Sequence, residues 1–151
     1  MAFTGQLAVV TGGGSGMGQA WARKFATNGA SVALLDVTAE GMATTAAGYD
    51  AIYPFTVDIT DAEAVKAAIS DIETQLGAID RVINAAAIMP FGRLADEDPS
   101  VTNAVMSVNY GGLVNVTTAT LPTMLQRGYG DFISFSSMTG IIPGLLMGAY
   151  A

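Results

Sequence analysis

Glycines crowd the segment that directly follows the first apolar run, in the sequence TGGGSGMG that begins at Thr11. Because glycine has no Cβ, a ligand can come close to the backbone of such a turn. The helix predicted to follow would add unpaired N–H groups and the positive end of its dipole, both of which favour a bound phosphate. The alternative is a turn that is merely flexible. The candidate ligand-binding residues of the turn are Gly12, Gly14, Ser15, Gly16, Met17 and Gly18.

A carboxylate, Asp36, ends the second apolar run, 18 residues beyond Gly18. At that position it can accept hydrogen bonds from both hydroxyls of an adenosine ribose. It would repel a 2′-phosphate, and neither Val37 nor any residue between Thr11 and Gln19 is basic. These residues predict an NAD site rather than an NADP site. The alternative is an ordinary solvated carboxylate at a strand end.

Apolar runs alternate with amphipathic segments along the chain. We predict strands at 7–10, 31–36, 52–57, 79–84 and 132–136, and helices at 19–27, 38–47, 60–76 and 98–127. This alternation implies right-handed crossovers and a parallel sheet with helices on both faces. The nearly continuous apolar strands agree, since both of their faces are buried. The predicted fold class is therefore α/β, a doubly wound parallel sheet of the Rossmann type, with residues 1–151 forming one NAD-binding domain.

Capping and helix-breaking residues predict where the helices begin and bend. Thr60 and Glu63 fit a capping box, and Asp98 followed by Pro99 fits an N-cap and a first helical position. Gly41 weakens the helix predicted at 38–47. Three residues are expected to bend or interrupt the last helix: Gly111, Gly112 and Pro122.

The composition excludes several classes of protein. Hydrophobic residues make up 51% of the sequence and charged residues 13%, which excludes an intrinsically disordered chain. The net charge of −7 disfavours nucleic acid and anionic membrane surfaces as partners. Because the sequence has no His and no Cys, it cannot form a Ser-His-Asp triad or a zinc site built on those ligands. The sequence has neither a secretion-signal pattern nor an apolar run of about 18 residues, so we expect a cytoplasmic protein. We expect no metal site.

Together these motifs resemble those of the short-chain dehydrogenase/reductase family, in its shorter single-domain type. The turn that begins at Thr11 is similar to the family's Thr-Gly-x-x-x-Gly-x-Gly pattern. Asp58 and Ile59, after the third apolar run, resemble the acidic position whose side chain holds the adenine amino group. The resemblance covers essentially all 151 residues.

A further motif follows the fourth apolar run. Asn84, Ala85, Ala86 and Ala87 resemble the family's Asn-Asn-Ala-Gly stretch, which supports the sheet and lines the cofactor. Ala85 and Ala87 depart from that pattern, and an alanine in place of the glycine is compatible with the backbone only if φ is negative. The resemblance implies cofactor contacts from Asn84, Ala85 and Ala86.

The same resemblance implies a catalytic set of three residues. Asn109 matches the family's Asn-x-x-Gly, in which the Asn helps to hold a proton-relay water. Ser137 and Tyr150 are 13 residues apart, the family's spacing for its catalytic pair. Tyr150 would be the general acid/base and would contact the cofactor, and Ser137 would hydrogen-bond the substrate oxygen. Without the resemblance, the three residues read as a helix-bend Asn, a loop Ser and a terminal Tyr.

The reaction implied by the resemblance is hydride transfer between NAD(H) and an alcohol or ketone. Apolar residues at 89–91 and 141–147 follow predicted strands, where α/β sheets bind ligands, and they favour an apolar small-molecule substrate. Alternatively, they pack against another segment or a partner. The family implies a homo-oligomer, a dimer or a tetramer. A non-catalytic NAD-binding module is the alternative function, and the glycine-rich turn with Asp36 disfavours a purely structural protein.

The end of the sequence departs from the family pattern. The family's catalytic Tyr is followed four residues later by a Lys, whereas this sequence ends at Ala151. We therefore expect a domain that is incomplete at its C-terminus, after about five strands. We expect residues 1–151 alone to lack turnover and to behave poorly in solution, while weak NAD binding survives.

Overall fold

Five parallel strands form the sheet of the computed structural model, which describes residues 6–142 and 144–151. The strands are β1 (Leu7–Thr11), β2 (Ser31–Asp36), β3 (Ile52–Thr56), β4 (Ile79–Asn84) and β5 (Asp131–Ser134). They lie in the order β3-β2-β1-β4-β5, and all neighbouring strands are parallel. The strand order reverses between β1 and β4, and ligands of such sheets bind at the carboxyl ends of the strands at that point.

Helices connect the strands. They are α1 (Gly16–Thr27), α2 (Ala39–Ala46), α3 (Ala62–Leu76), α4 (Pro99–Met106) and α5 (Leu113–Arg127), with a π-helix (Ser107–Gly112) between α4 and α5 and a 3₁₀ helix at Met138–Gly140. No helix in the described part of the chain is long and apolar enough to cross a membrane. The predicted α/β fold with a doubly wound parallel sheet is confirmed.

Alternate side chains of β1 enter two different cores, which explains why this strand is apolar along its length. Leu7 and Val9 share one core with α3 and with Val116 of α5. Ala8 and Val10 share the other core with buried side chains of α1 and α2. The central strand is therefore covered on both faces, and its carboxyl end is held in place by both layers.

Two helices, α1 and α3, begin two or more residues away from their predicted first residues. α1 begins at Gly16 rather than at residue 19, because the end of the glycine-rich turn is already the first turn of the helix. α3 has Asp61, and not Thr60, as its N-cap, since the Asp61 carboxylate accepts hydrogen bonds from the N–H groups of Glu63 and Ala64. The Thr60 hydroxyl instead donates to Oδ1 of Asp58 at 2.8 Å.

The last strand is shorter at its carboxyl end than predicted. β5 ends at Ser134 rather than at Ser136, and it begins at Asp131. Its partner in the sheet, β4, ends at Asn84, which lies opposite Ser134 in the register. Beyond that pair β4 offers no further ladder, so Phe135 and Ser136 belong to the loop that leads toward Ser137. The other strands and α2 differ from the prediction by one residue at most at each end.

The long helix predicted after Asp98 is divided by the π-helix. Asp98 caps α4 as predicted, and hydrogen bonds from the side chain and the N–H of Ser100 lower the pKa of the Asp98 carboxyl. Both glycines expected to interrupt the helix lie in the π-helix, whereas Pro122 lies inside α5 without ending it. Gly112 lets this helix pack tightly, because a Cβ there would lie 2.3 Å from Cδ1 of the buried Ile59.

We expect Gly112→Ala to lower the free energy of unfolding by about 1–3 kcal/mol, because the added methyl group overpacks against Ile59. Gly111→Ala is the matched control, since a Cβ there meets only the Met106 carbonyl oxygen, at 3.8 Å. Replacing a helical glycine in open space by alanine should leave the free energy of unfolding unchanged or raise it by at most about 1 kcal/mol. Urea unfolding of the two variants and the parent measures both effects, and equal losses would contradict the assigned close packing.

Candidate functional site

The glycine-rich turn packs so closely on its surroundings that three of its glycines cannot be replaced without movement. A Cβ on Gly13 would lie 2.0 Å from Cδ1 of the buried Leu34. A Cβ on Gly12 would lie 2.7 Å from Cα of Ala86, and Gly12 also has a φ of +66°. A Cβ on Gly18 would lie 2.2 Å from the carbonyl oxygen of Gly12. The start of α1 is therefore pressed against the turn itself, and the turn is pressed against the segment that follows β4. This contact joins the carboxyl ends of the two central strands.

Thr11 fixes the same junction by hydrogen bonds. Its Oγ1 accepts from the N–H groups of Ala85 and Ala86, each at 3.1 Å, and the residue is only 1% exposed. These bonds satisfy two backbone donors just beyond the last residue of β4. In the sequence, Thr11 is recognisable only as the start of the motif, because this second role depends on the strand order.

The start of α1 presents backbone donors to the cleft beside the turn. The first intrahelical bond runs from the N–H of Gln19 to the carbonyl oxygen of Ser15. The N–H groups of Gly16, Met17 and Gly18 precede that bond and have no acceptor within the helix. They lie at the positive end of the helix dipole, which favours an anion.

Asp36 lies beside this turn at the end of β2. Its Oδ2 accepts from the N–H of Gly14 at 2.9 Å, and its Oδ1 accepts from the N–H of Thr38 at 2.8 Å. The carboxylate is therefore held in one orientation, with lone pairs left for further donors because each oxygen can accept more than one hydrogen bond. The N–H of Gly14 is already paired, so Gly14 supports Asp36 rather than a phosphate.

A cleft of about 500 Å³ runs along the carboxyl ends of the strands. It brings together most of the residues that the sequence assigned to the cofactor. Those that line it are Gly12, Ser15, Gly16, Met17, Gly18, Asp36, Val37, Asp58, Ile59, Ala85, Ala86 and Tyr150. Gly14 and Asn84 are the two assigned residues that do not line this cleft. We call this space the nucleotide cleft.

A second cavity, also of about 500 Å³, adjoins the nucleotide cleft. It contains the three residues assigned to catalysis, Asn109, Ser137 and Tyr150, together with Asn84. Tyr150 lines both spaces, and so do Met17, Ile59 and Ala85–Ala87. None of the described residues that line this second space is charged. We call it the catalytic cavity.

The Asn109 side chain holds the segment that follows β4. Its Oδ1 accepts from the N–H of Ile88 at 2.8 Å, and its Nδ2 donates to the Ile88 carbonyl oxygen at 3.0 Å. Asn109 lies in the π-helix, a local feature that is frequent at functional sites. Both polar atoms of its side chain are used on the backbone of Ile88, so the side chain fixes one wall of the cavity. The expected contact with a relay water stays a prediction.

Ser137 and Tyr150 are positioned by short local structures. The Ser137 Oγ accepts from the N–H of Thr139 at 3.2 Å and shares a hydrogen bond with the Thr139 hydroxyl at 2.7 Å, which begins the 3₁₀ helix. The backbone N–H of Tyr150 donates to the Met147 carbonyl oxygen at 3.0 Å. That loop is tied to the segment after β4, because the N–H of Gly92 donates to the Leu146 carbonyl oxygen at 2.9 Å.

Asn84 is the last residue of β4 and the first residue of the motif that resembles the family's Asn-Asn-Ala-Gly stretch. The side-chain nitrogen and oxygen of Asn84 are buried and have no hydrogen-bond partner among the described residues. Buried polar groups are normally paired, so Asn84 is a candidate to bind a polar group at the catalytic cavity.

Ala87 does not have a positive φ. Alanine therefore fits the backbone at the position where the family pattern has glycine, and this departure leaves the turn intact.

Comparisons with known proteins decide the family. The family model described as short chain dehydrogenase matches residues 6–151. The chain belongs to the short-chain dehydrogenase family. The resemblance inferred from the motifs is thereby confirmed. No group of three or more Asp or Glu side chains among the described residues of this family member is arranged to hold a metal ion.

The relatives of this short-chain dehydrogenase are longer proteins. It is 39% identical to a short chain dehydrogenase of Pseudocercospora fijiensis, over 99% of this chain and 52% of the relative. It is 34% identical to a 2-dehydro-3-deoxy-L-rhamnonate dehydrogenase (NAD(+)) of a Sphingomonas species, over 91% of this chain and 56% of the relative. The chain thus spans about half the length of these curated relatives.

Almost the whole of this chain superposes on part of a solved structure. The crystal structure of an NAD+-bound xylitol dehydrogenase superposes with a TM-score of 0.93 at 28% sequence identity. The match covers 99% of this chain and 60% of the xylitol dehydrogenase chain.

Proposed function

We propose that this member of the short-chain dehydrogenase family transfers hydride between the nicotinamide of NAD(H) and an alcohol or ketone. The observation that carries the proposal is that Tyr150 lines both the nucleotide cleft and the catalytic cavity. The cleft has the glycine-rich turn and Asp36 on its wall, and the cavity has Ser137. One dinucleotide placed along both spaces would bring its reactive ring beside a Ser and a Tyr.

The residues present fit a dinucleotide. The N–H groups of Gly16, Met17 and Gly18 would bind the pyrophosphate. A Cβ on Gly16 would meet no other atom within 4 Å, so the start of the helix is open to a ligand there. Asp36 would accept the ribose hydroxyls. The exposed carboxylate of Asp58 would accept the adenine amino group, and the small side chain of Ala85 would leave room along the cleft.

The chain's own residues would perform the proton chemistry. NAD(H), when bound, supplies the hydride acceptor or donor. Ser137 would hydrogen-bond the substrate oxygen, and the phenol oxygen of Tyr150 would take or give the hydroxyl proton. Asn109 would keep the wall at Ile88 in place. The presence of Ser137 and Tyr150 on one cavity favours an enzyme over a non-catalytic NAD-binding module.

We also propose how residues 1–151 behave by themselves, where the protein is located and how it assembles. In the family pattern a Lys stands four residues after the Tyr, at a position beyond Ala151, so we propose that residues 1–151 alone bind NAD weakly and do not turn over substrate. We further propose a cytoplasmic homo-oligomer. The support for a homo-oligomer is an exposed apolar face on α5, where Leu125 is 69% exposed and Leu121 is 39% exposed.

We expect tighter binding of NAD+ than of NADP+, because the Asp36 carboxylate repels a 2′-phosphate. Asp36→Ala should narrow the ratio of the two dissociation constants by about tenfold or more, since like charges a few ångströms apart repel at this scale. Asp50→Ala is the matched control, because Asp50 is exposed and precedes the amino end of β3, whereas Asp36 lies at the carboxyl ends of the strands. Calorimetric titration with both cofactors measures the ratio. Equal or tighter binding of NADP+ by the parent would refute the assignment.

We expect Tyr150→Phe to lower kcat by at least about 100-fold, the scale of general acid/base catalysis, while the dissociation constant for NAD+ changes little. Ser137→Ala should lower kcat strongly and Asn109→Ala less so. The assay uses a protein that contains these residues and the helix that follows them in the family. Tyr53→Phe, on β3 and away from both spaces, serves as the control. Substantial turnover by Tyr150→Phe would remove Tyr150 from its assigned role.

We expect higher kcat/KM for apolar alcohols than for polyols or sugar acids, by about tenfold or more, because the lining of the catalytic cavity is uncharged. Two of the similar proteins are named as a xylitol dehydrogenase and a 2-dehydro-3-deoxy-L-rhamnonate dehydrogenase, so this outcome would distinguish the present protein from those two. Phe135→Ala should lower kcat/KM for apolar alcohols more than for polyols, since Phe135 lines the cavity. A panel that favours polyols or sugar acids would contradict the substrate class.

A further inference from the structure

The peptide group that joins Gly13 to Gly14 is held at both of its polar atoms. Its carbonyl oxygen accepts a hydrogen bond from the Thr45 hydroxyl at 2.8 Å, and its N–H donates to Oδ2 of Asp36 at 2.9 Å. The C=O and N–H of a trans peptide are fixed in one plane and point in opposite directions. Rotation of this peptide would therefore break both hydrogen bonds together. Thr45 and Asp36 are coupled through a single rigid group.

Thr45 reaches this peptide from α2 because the helix lies directly against the turn. A Cβ on Gly41 would lie 2.8 Å from the carbonyl oxygen of Gly14. Gly41, which weakens the intrinsic helix propensity of α2, is thus the residue that permits the contact. One turn later in the helix, Thr45 is fully buried. Its hydroxyl is 2.8 Å from the Gly13 oxygen and 3.1 Å from the Gly41 oxygen, so the bond to the turn is the shorter one.

Gln19 of α1 orients the same hydroxyl. Its Nε2 donates to Oγ1 of Thr45 at 2.9 Å. A hydroxyl has one proton and two lone pairs, so accepting from Gln19 leaves the proton for the carbonyl oxygen of Gly13. Arg23 adds hydrogen bonds from α1 to the carbonyl oxygens of Thr44 and Thr45. Two helices thus hold the hydroxyl in place.

We propose that Thr45, oriented by Gln19, is a positioning residue that fixes Asp36 through the Gly13–Gly14 peptide and thereby sets the preference for NAD over NADP. This inference rests on the proposed role of Asp36 in binding the adenosine ribose. Thr45 touches neither cavity, and its effect is transmitted by the orientation of one peptide group. Loss of the hydroxyl would leave the buried carbonyl oxygen of Gly13 without its donor. The peptide would turn, and the Asp36 carboxylate would lose its support from Gly14.

The test compares four substitutions in the whole protein, with dissociation constants for NAD+ and NADP+ and the unfolding midpoint measured for each. Thr45→Val keeps the side-chain shape and removes the hydroxyl, and Thr45→Ser keeps the hydroxyl. Thr44→Val is the matched neighbour, because the Thr44 hydroxyl bonds only the Glu40 carbonyl oxygen of its own helix. Thr120→Val is the matched buried control, since its hydroxyl bonds carbonyl oxygens of its own helix, Val116 at 2.8 Å and Thr117 at 3.5 Å.

We expect Thr45→Val to weaken NAD+ binding and to narrow the ratio of the two dissociation constants by about tenfold, the scale of one hydrogen bond. Thr45→Ser should restore the ratio, and both control substitutions should leave it unchanged. If Thr45→Val lowers only the unfolding midpoint, the result expected for Thr120→Val, then Thr45 is merely structural and the inference fails. A narrowed ratio in Thr44→Val would overturn it as well.

Amide hydrogen exchange separates this inference from the proposed function. In the protein without ligand, the N–H of Gly14 should exchange faster in Thr45→Val than in the parent, and Thr45→Ser should restore the slow rate. If the parent binds neither cofactor, the proposed function fails, whereas faster exchange at Gly14 still supports the coupling between Thr45 and the peptide. Unchanged exchange at Gly14 would overturn that coupling, whatever the cofactor measurements show.

Discussion

The close contact between the turn after β1 and the segment after β4 determines the geometry of the whole site. Gly12 lies so near to Ala86 that a Cβ would overlap its backbone, and Thr11 bonds the two N–H groups that follow β4. β1 and β4 are the strands between which the order of the sheet reverses. The segment after β4 that takes part in this contact, Ala85–Ala87, lines both the nucleotide cleft and the catalytic cavity, and Tyr150 lines both spaces as well.

Three side chains support the site by holding the backbone of its walls. Thr11 holds the junction of the strands, Thr45 holds a peptide of the turn, and Asn109 holds the backbone of Ile88. Each of these side chains forms at least one hydrogen bond with the backbone of a segment 21 or more residues away in the sequence. Such bonds fix the walls of the two spaces, so a cofactor would meet a preorganised surface rather than a flexible loop.

Local sequence patterns predicted the elements well, because burial on both faces produces apolar strands and because caps and glycines mark helix ends. The glycine-rich turn and Asp36 were identified from the sequence because each lies at the carboxyl end of an apolar strand. What the sequence did not predict depends on pairing between distant segments. β5 ends at Ser134 because Asn84 ends its partner strand. The start of α3 is a local exception, since the carboxylate of Asp61 and not the hydroxyl of Thr60 caps that helix. Gly41 looked like a weakness in α2, and only the contact with Gly14 explains it.

A crystal structure of the protein with NAD+ bound would test the central claim most directly, namely that one dinucleotide extends along both spaces. We expect the pyrophosphate within hydrogen-bond distance of the N–H groups at the start of α1. The adenosine ribose should lie on Asp36, and the nicotinamide ring should lie in the catalytic cavity beside Ser137 and Tyr150. NAD+ bound in the reverse direction, or with its pyrophosphate away from the glycine-rich turn, would contradict the account.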